Sequence, residues 1–221
     1  MGAITRSAAN NFTTGGVILP EAINDASVAS VSDLSQVNTG GAFTEISEQT
    51  ASGSSSISFT SGIDGTYPIY KLEFIDIHPS GDGTNLEFQA SSNGGSSYGI
   101  NVTASCARTY SNEADTLQRA PTYGSGWGLS SSTNYQSLSY ATGIENKNSI
   151  CGTMFLYEPS STTYYKQFLS HTTQEGHTDY AGEFHISGYY QTTSAINALS
   201  FRMNSGNIDT GTIRLWGMAG S

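Results

Sequence analysis

An antiparallel β-sandwich is the fold this sequence predicts, and three observations predict it. Large apolar residues alternate with polar ones at period two, as in Tyr70-Lys-Leu-Glu-Phe74, where Tyr70, Leu72 and Phe74 share a face. Turn-forming clusters recur roughly every ten residues, the spacing of short sandwich strands. The composition suits sheets: charged residues are 12% of the chain, and Tyr (13) outnumbers Lys and Arg together (8). The expected class is all-β, an antiparallel jelly-roll-like sandwich with an extended N-terminal arm. With 221 residues the chain is long enough to bury one core without metals or disulfide staples.

Along the chain, residues 1–44 hold no sustained alternation of large residues; Val17-Ile-Leu19 ends at Pro20. This stretch reads either as a tail that adds an edge strand or as an arm that orders against a neighbouring subunit. Residues 45–221 read as the sandwich domain. Ser56 to Phe59 and Tyr70 to Phe74 alternate; the phase slips at Ile75 and Ile77, which marks a bulge or a strand buried on both faces. Pro79 to Thr84 is a turn, Leu86 to Ala90 its expected return strand, and Asn93-Gly94 the strongest hairpin signal. Tyr98 to Thr103 follows as a strand. Tyr110 to Ser137 reads as a long loop or lid, with one helical turn at Ser111 to Leu117. Further strands are expected at Ser137–Ala141, Ser149–Tyr157, Tyr164–Leu169, Gly182–Tyr190, Ala195–Met203 and Gly211–Trp216. Among the turns between them is Gln174-Glu-Gly176. No βαβ alternation and no fixed-period repeat is visible, which argues against a parallel α/β fold.

Several functions are disfavoured. A net charge of −10 with eight scattered basic residues argues against phosphate neutralisation, so no nucleic-acid partner is expected. Met1 to Asn10 lacks an apolar run, and no segment approaches the length of a membrane helix, so neither a secretory leader nor membrane insertion is expected. Cys106 and Cys151 are read as buried free thiols. His171, His177 and His185 fall in one stretch with Glu175, Asp179 and Glu183, but the spacing matches no zinc signature, and the expected metal and cofactor complement is none. His185 is expected on a polar face, out of phase with Phe184 and Ile186. Gly124-Ser-Gly-Trp-Gly128 lacks the strand, helix and Lys of a phosphate loop, and no serine sits in a nucleophile elbow. No catalytic residue is expected, and the chain is read as a non-enzyme.

The aromatics carry two readings. Trp127, Tyr157, Tyr164, Tyr165, Tyr180, Tyr189 and Tyr190 either contact a glycan or serve the core and subunit interfaces, and the second is favoured. Tyr189 and Tyr190 are adjacent on a strand, so they point to opposite faces.

Three stretches carry a resemblance: Ile57-Ser-Phe-Thr-Ser-Gly-Ile-Asp64, Tyr70-Lys-Leu-Glu-Phe-Ile-Asp-Ile-His-Pro79, and Phe201 through Gly217. They resemble small virion structural proteins of marine and cyanobacterial tailed bacteriophages, and Ile4 to Thr13 is similar to the opening of phage fibre and appendage proteins. The resemblance implies a β-rich capsid decoration protein or fibre or appendage subunit. It would be made in the host cytoplasm, displayed on the virion, homo-oligomeric, and in contact with other capsid or tail proteins. A receptor- or glycan-binding tail protein, meeting a host surface glycan during attachment, is the alternative.

Overall fold

A computed structural model describes residues 43–219 apart from 115, 117, 124 and 125. The described chain is a sandwich of two antiparallel sheets. It contains β1 (Phe43–Thr50), β2 (Ile57–Phe59), β3 (Ile69–Pro79), β4 (Leu86–Ser91), β5 (Val102–Asn112), β6 (Gln118–Tyr123), β7 (Gln136–Ser137), β8 (Ile150–Tyr157), β9 (Lys166–Gly176), β10 (Tyr180–Tyr190), β11 (Ala198–Met203) and β12 (Ile208–Met218). The larger sheet has the order β1-β12-β3-β8-β9-β10-β5-β6, and the smaller β2-β11-β4-β7. Without the insertions β5–β6 and β9–β10, eight strands remain. Counted along the chain, they lie first-eighth-third-sixth in one sheet and second-seventh-fourth-fifth in the other.

The alternation seen in the sequence becomes the two faces of the sheets. In β9, Phe168, Ser170, Thr172 and Gln174 are buried while Gln167, Leu169, His171 and Thr173 are exposed. The core forms where aromatic residues of the two sheets meet. Phe74 lies 5.4 Å from Phe201, Phe88 5.1 Å from Phe168, and Phe88 6.3 Å from Tyr190, all edge-on. Burying each such side chain contributes about 1.5–3 kcal/mol, with the ring contacts adding to it.

The smaller sheet covers only part of the larger one. Over β9, β10 and β5 the segment 126–143, which includes β7, adds to the cover that Phe88 of β4 gives Phe168 and Tyr190. Tyr140 N–H donates to Gln174 Oε1 at 3.0 Å, Thr142 Oγ1 donates to the same oxygen at 3.0 Å, and Thr172 Oγ1 donates to the Leu138 carbonyl. The Arg108 guanidinium sits 3.9 Å from the Trp127 ring centroid and 5.1 Å from that of Tyr140. Cation–π contacts of this kind stabilise a charge that the cover partly desolvates.

Several local expectations are corrected. Pro79 to Thr84 and Asn93-Gly94 are not hairpins: β4 pairs with β11 and β7, not with β3 or β5, so each turn carries the chain from one sheet to the other. A turn signal reports reversal, not which sheet receives the next strand. The expected loop at 110–137 contains the end of β5, all of β6, β7 and the first part of the covering segment. Ser111 and Asn112 lie in β5, so the expected helical turn is absent there; Asn112 Oδ1 instead accepts from Thr116 N–H at 3.0 Å. β9 runs through Gln174-Glu-Gly176, and its hairpin turn is His177-Thr178-Asp179, with Asp179 at φ 53°. The phase slip at Ile75 is a bulge, marked by a register shift against β8 and by Asp76 at φ 49°. Residues 1–42 of the expected arm lie outside the described residues, and Phe43 and Thr44 begin β1. Both thiols are free; Cys106 is buried, but Cys151 is only half-buried, facing Asp76.

Candidate functional site

The eight-stranded sheet turns its outer face to solvent, and its pleat decides what that face displays. Pairing aligns Trp216 of β12, Lys71 of β3, Phe155 of β8 and Leu169 of β9 in one row across four strands. Phe43 of β1, paired with Met218 two positions along, reaches toward the row, with its ring 6.5 Å from that of Phe155 and the Lys71 ammonium 5.0 Å above it. Tyr157 stacks on Phe155 at 6.4 Å. Phe43 and Leu169 are exposed, while Phe155, Tyr157 and Trp216 are half-buried. Glu73 fixes the polar ends: it accepts from Trp216 Nε1 at 2.9 Å and from Lys71 Nζ at 2.5 Å. Both side chains of this ion pair are partly buried. Its effect is to orient the aromatic row.

Farther along the same face, the expected tyrosines divide. Tyr164 (73% exposed), Tyr165 (52%) and Tyr189 (37%) lie at the surface, and Tyr165 stacks on Tyr189 at 5.8 Å with planes 12° apart. The other three candidates lie elsewhere. Tyr190 is fully buried in the core, as its opposition to Tyr189 requires. Tyr180 is buried and donates to the Tyr140 carbonyl at 2.9 Å. Trp127 is half-buried against Tyr140 and Arg108. Each of these three therefore packs the interior or its cover.

Beside Tyr189 runs a shallow groove of about 600 Å³. Tyr123, Gln167, Ser105 and Ser187 are among its lining residues. Tyr123 and Gln167 were not singled out from the sequence. Tyr123 falls in a segment read as loop, and Gln167 is recognisable only once the inward phase of β9 is known.

On the same face, β9 and β10 bring His171 opposite His185. Their rings stack at 4.3 Å, 10° from parallel. Glu183 precedes His185 by two residues, so it shares that face. Its Oε1 lies 2.7 Å from His171 Nε2 and 3.2 Å from His185 Nε2, and its Oε2 accepts from Thr109 at 3.1 Å. The His171 bond, followed by that of Thr109, holds the Glu183 carboxyl below the usual range. His177 turns away, with Nδ1 3.2 Å from the Ala141 carbonyl, and Asp179 pairs with Lys147 at 3.3 Å.

One buried cation stands near the tyrosines. Lys166, at the start of β9, is fully buried and donates to the carbonyls of Tyr164 and Thr192, at 3.1 Å each. Desolvation lowers its pKa. These bonds tie the loop carrying Tyr164 to the one following β10.

No protein-family model matches the sequence, and no curated protein or solved structure matches the chain at a significant level.

Proposed function

We propose that this chain is a structural component of a tailed-phage virion surface, a capsid decoration protein or a fibre or appendage subunit. It acts through protein–protein contacts and carries out no chemistry. The observation that carries this reading is the aromatic row on the outer face of the larger sheet. Phe43, Phe155 and Tyr157 form a connected aromatic cluster, Leu169 flanks Phe155 in register, and Lys71 and Glu73 stand between this cluster and Trp216. Aromatic centres with polar rims are what subunit interfaces bury. The strand order supports a jelly-roll winding, an architecture used by capsid domains among others. The phage assignment itself rests on the resemblance of Ile57–Asp64, Tyr70–Pro79 and Phe201–Gly217.

The test is immunogold labelling of intact particles from a phage carrying this gene. Label over the head supports decoration, and label at the tail supports an appendage. Purified particles without label, with the protein left in the unassembled fraction, would overturn the proposal.

A second reading has its own observation. The groove beside the stacked Tyr165–Tyr189 pair combines ring faces with hydroxyl and amide groups, the mixture that binds sugars. A tail location together with a glycan-array signal lost in Tyr189→Ala would favour adsorption to host glycans.

A further inference from the structure

We infer that His171, Glu183 and His185 form a binding site for a zinc-class divalent ion on the outer face of the β9–β10 hairpin. The ligand atoms of the three side chains all lie within 4.8 Å of one another. A tetrahedral ion with bonds of roughly 2.0–2.1 Å needs ligand atoms about 3.4 Å apart. The two distances from Glu183 Oε1, 2.7 and 3.2 Å, therefore have to open by about 0.7 and 0.2 Å, and the two stacked imidazoles have to tilt so that both ring planes meet the ion.

The backbone supplies this placement. Two ligands alternate on one strand, Glu183 and His185, and the third stands opposite on the neighbouring strand, where the ladder fixes its distance. Thr109 occupies Glu183 Oε2 from the other side, which leaves Oε1 as the oxygen aimed at the imidazoles. An outer hydrogen bond of this kind orients a ligating carboxylate. Two imidazoles and one carboxylate suit zinc, nickel or copper, and they are too few and too nitrogen-rich for calcium or magnesium. Both rings are about half exposed, so water can complete the coordination. His185 also lines a shallow depression of about 280 Å³ with Tyr123, Leu169 and Ser105, so the open position adjoins the proposed contact face.

In the metal-free arrangement, imidazole N–H groups donate to Glu183. An ion bound at those nitrogens leaves each neutral ring's single proton on its other nitrogen.

The experiment uses the full chain, stripped with chelator. Zn²⁺ is titrated calorimetrically, and Co²⁺ is followed by its visible absorption. The expected result is one ion per chain, an intense tetrahedral cobalt band, and at least a tenfold affinity loss in His171→Ala, His185→Ala and Glu183→Gln. His177→Ala serves as the control and retains binding. All four variants change surface residues, and circular dichroism checks that each folds. Weak binding of equal strength in every variant, or no binding, would show a hydrogen-bonded His–Glu–His triad only and overturn the site.

Discussion

Phe201 joins the core of the smaller sheet to Phe74 of the larger one. It is fully buried on β11 and meets three rings: Phe74 at 5.4 Å, Phe88 at 6.2 Å and Phe59 at 6.4 Å. Phe201→Ala removes a ring that hides on the order of 150 Å² from water, about 4 kcal/mol at 25 cal/mol per Å². The ring contacts and residual cavity place the loss toward the upper part of the 3–5 kcal/mol range for such truncations. For a domain of this size that lowers the melting temperature by roughly 10–20 °C. Urea unfolding followed by tryptophan fluorescence measures it, with an unchanged denaturant slope as the sign that the fold is retained. Phe43→Ala, on the outer face, is the comparison and should cost under about 1 kcal/mol. A loss below about 2 kcal/mol for Phe201→Ala would refute a core shared between the sheets.

Other expectations follow from buried groups. The Tyr190 hydroxyl is buried without a hydrogen-bond partner among the described residues, so Tyr190→Phe should leave thermal stability unchanged or raise it by up to about 1 kcal/mol; a loss above that would reveal a partner for the hydroxyl. Burial raises the Cys106 thiol from 9.0 to about 11 and the Tyr180 phenol from 10.0 to about 12, and raises Tyr70 and Tyr190 as well. These groups keep their protons when folded but lose them when unfolded. Their contribution is therefore complete below about pH 9 and declines as pH climbs toward 12, which melting curves with tyrosinate absorbance will trace. A Cβ at Gly188 would lie 2.6 Å from the Thr103 carbonyl oxygen and 2.7 Å from the Phe168 ring, so Gly188→Val should cost about 1–3 kcal/mol in the same urea assay.

The strands were legible wherever alternation was strong. Tyr70, Leu72 and Phe74 face inward as their spacing requires, and Tyr189 and Tyr190 do point to opposite faces. β1 escaped notice because it is an edge strand whose pattern is broken by a bulge between Glu45 and Ser47. Sheet membership is a long-range property, so Pro79–Thr84 and Asn93-Gly94 revealed turns but not that the chain changes sheets there. The histidine pair shows how one local error propagates. A turn centred on Glu175 does not place His171 opposite His185, whereas the real turn, centred on Thr178, does. Asp179 takes the left-handed conformation there without glycine, which removes the usual marker. Trp127, Tyr180 and Tyr190 carried two readings because what covers them is long-range: Tyr140 for Trp127 and Tyr180, and Phe88 of the smaller sheet for Tyr190.

The pairing of β1 with β12 sets the timing of folding. Thr50 meets Thr212, and Phe43 meets Met218, so among the described residues the first strand finds its only ladder partner in the last. During synthesis β1 must wait, unpaired, until nearly the whole domain has left the ribosome. Loop closure over that separation comes before any reward from the contact, which places this chain among slow, topology-limited folders. Until β12 arrives, the exposed strand edges are the state most open to capture by another copy. Completion of the larger sheet thus waits for the completed chain.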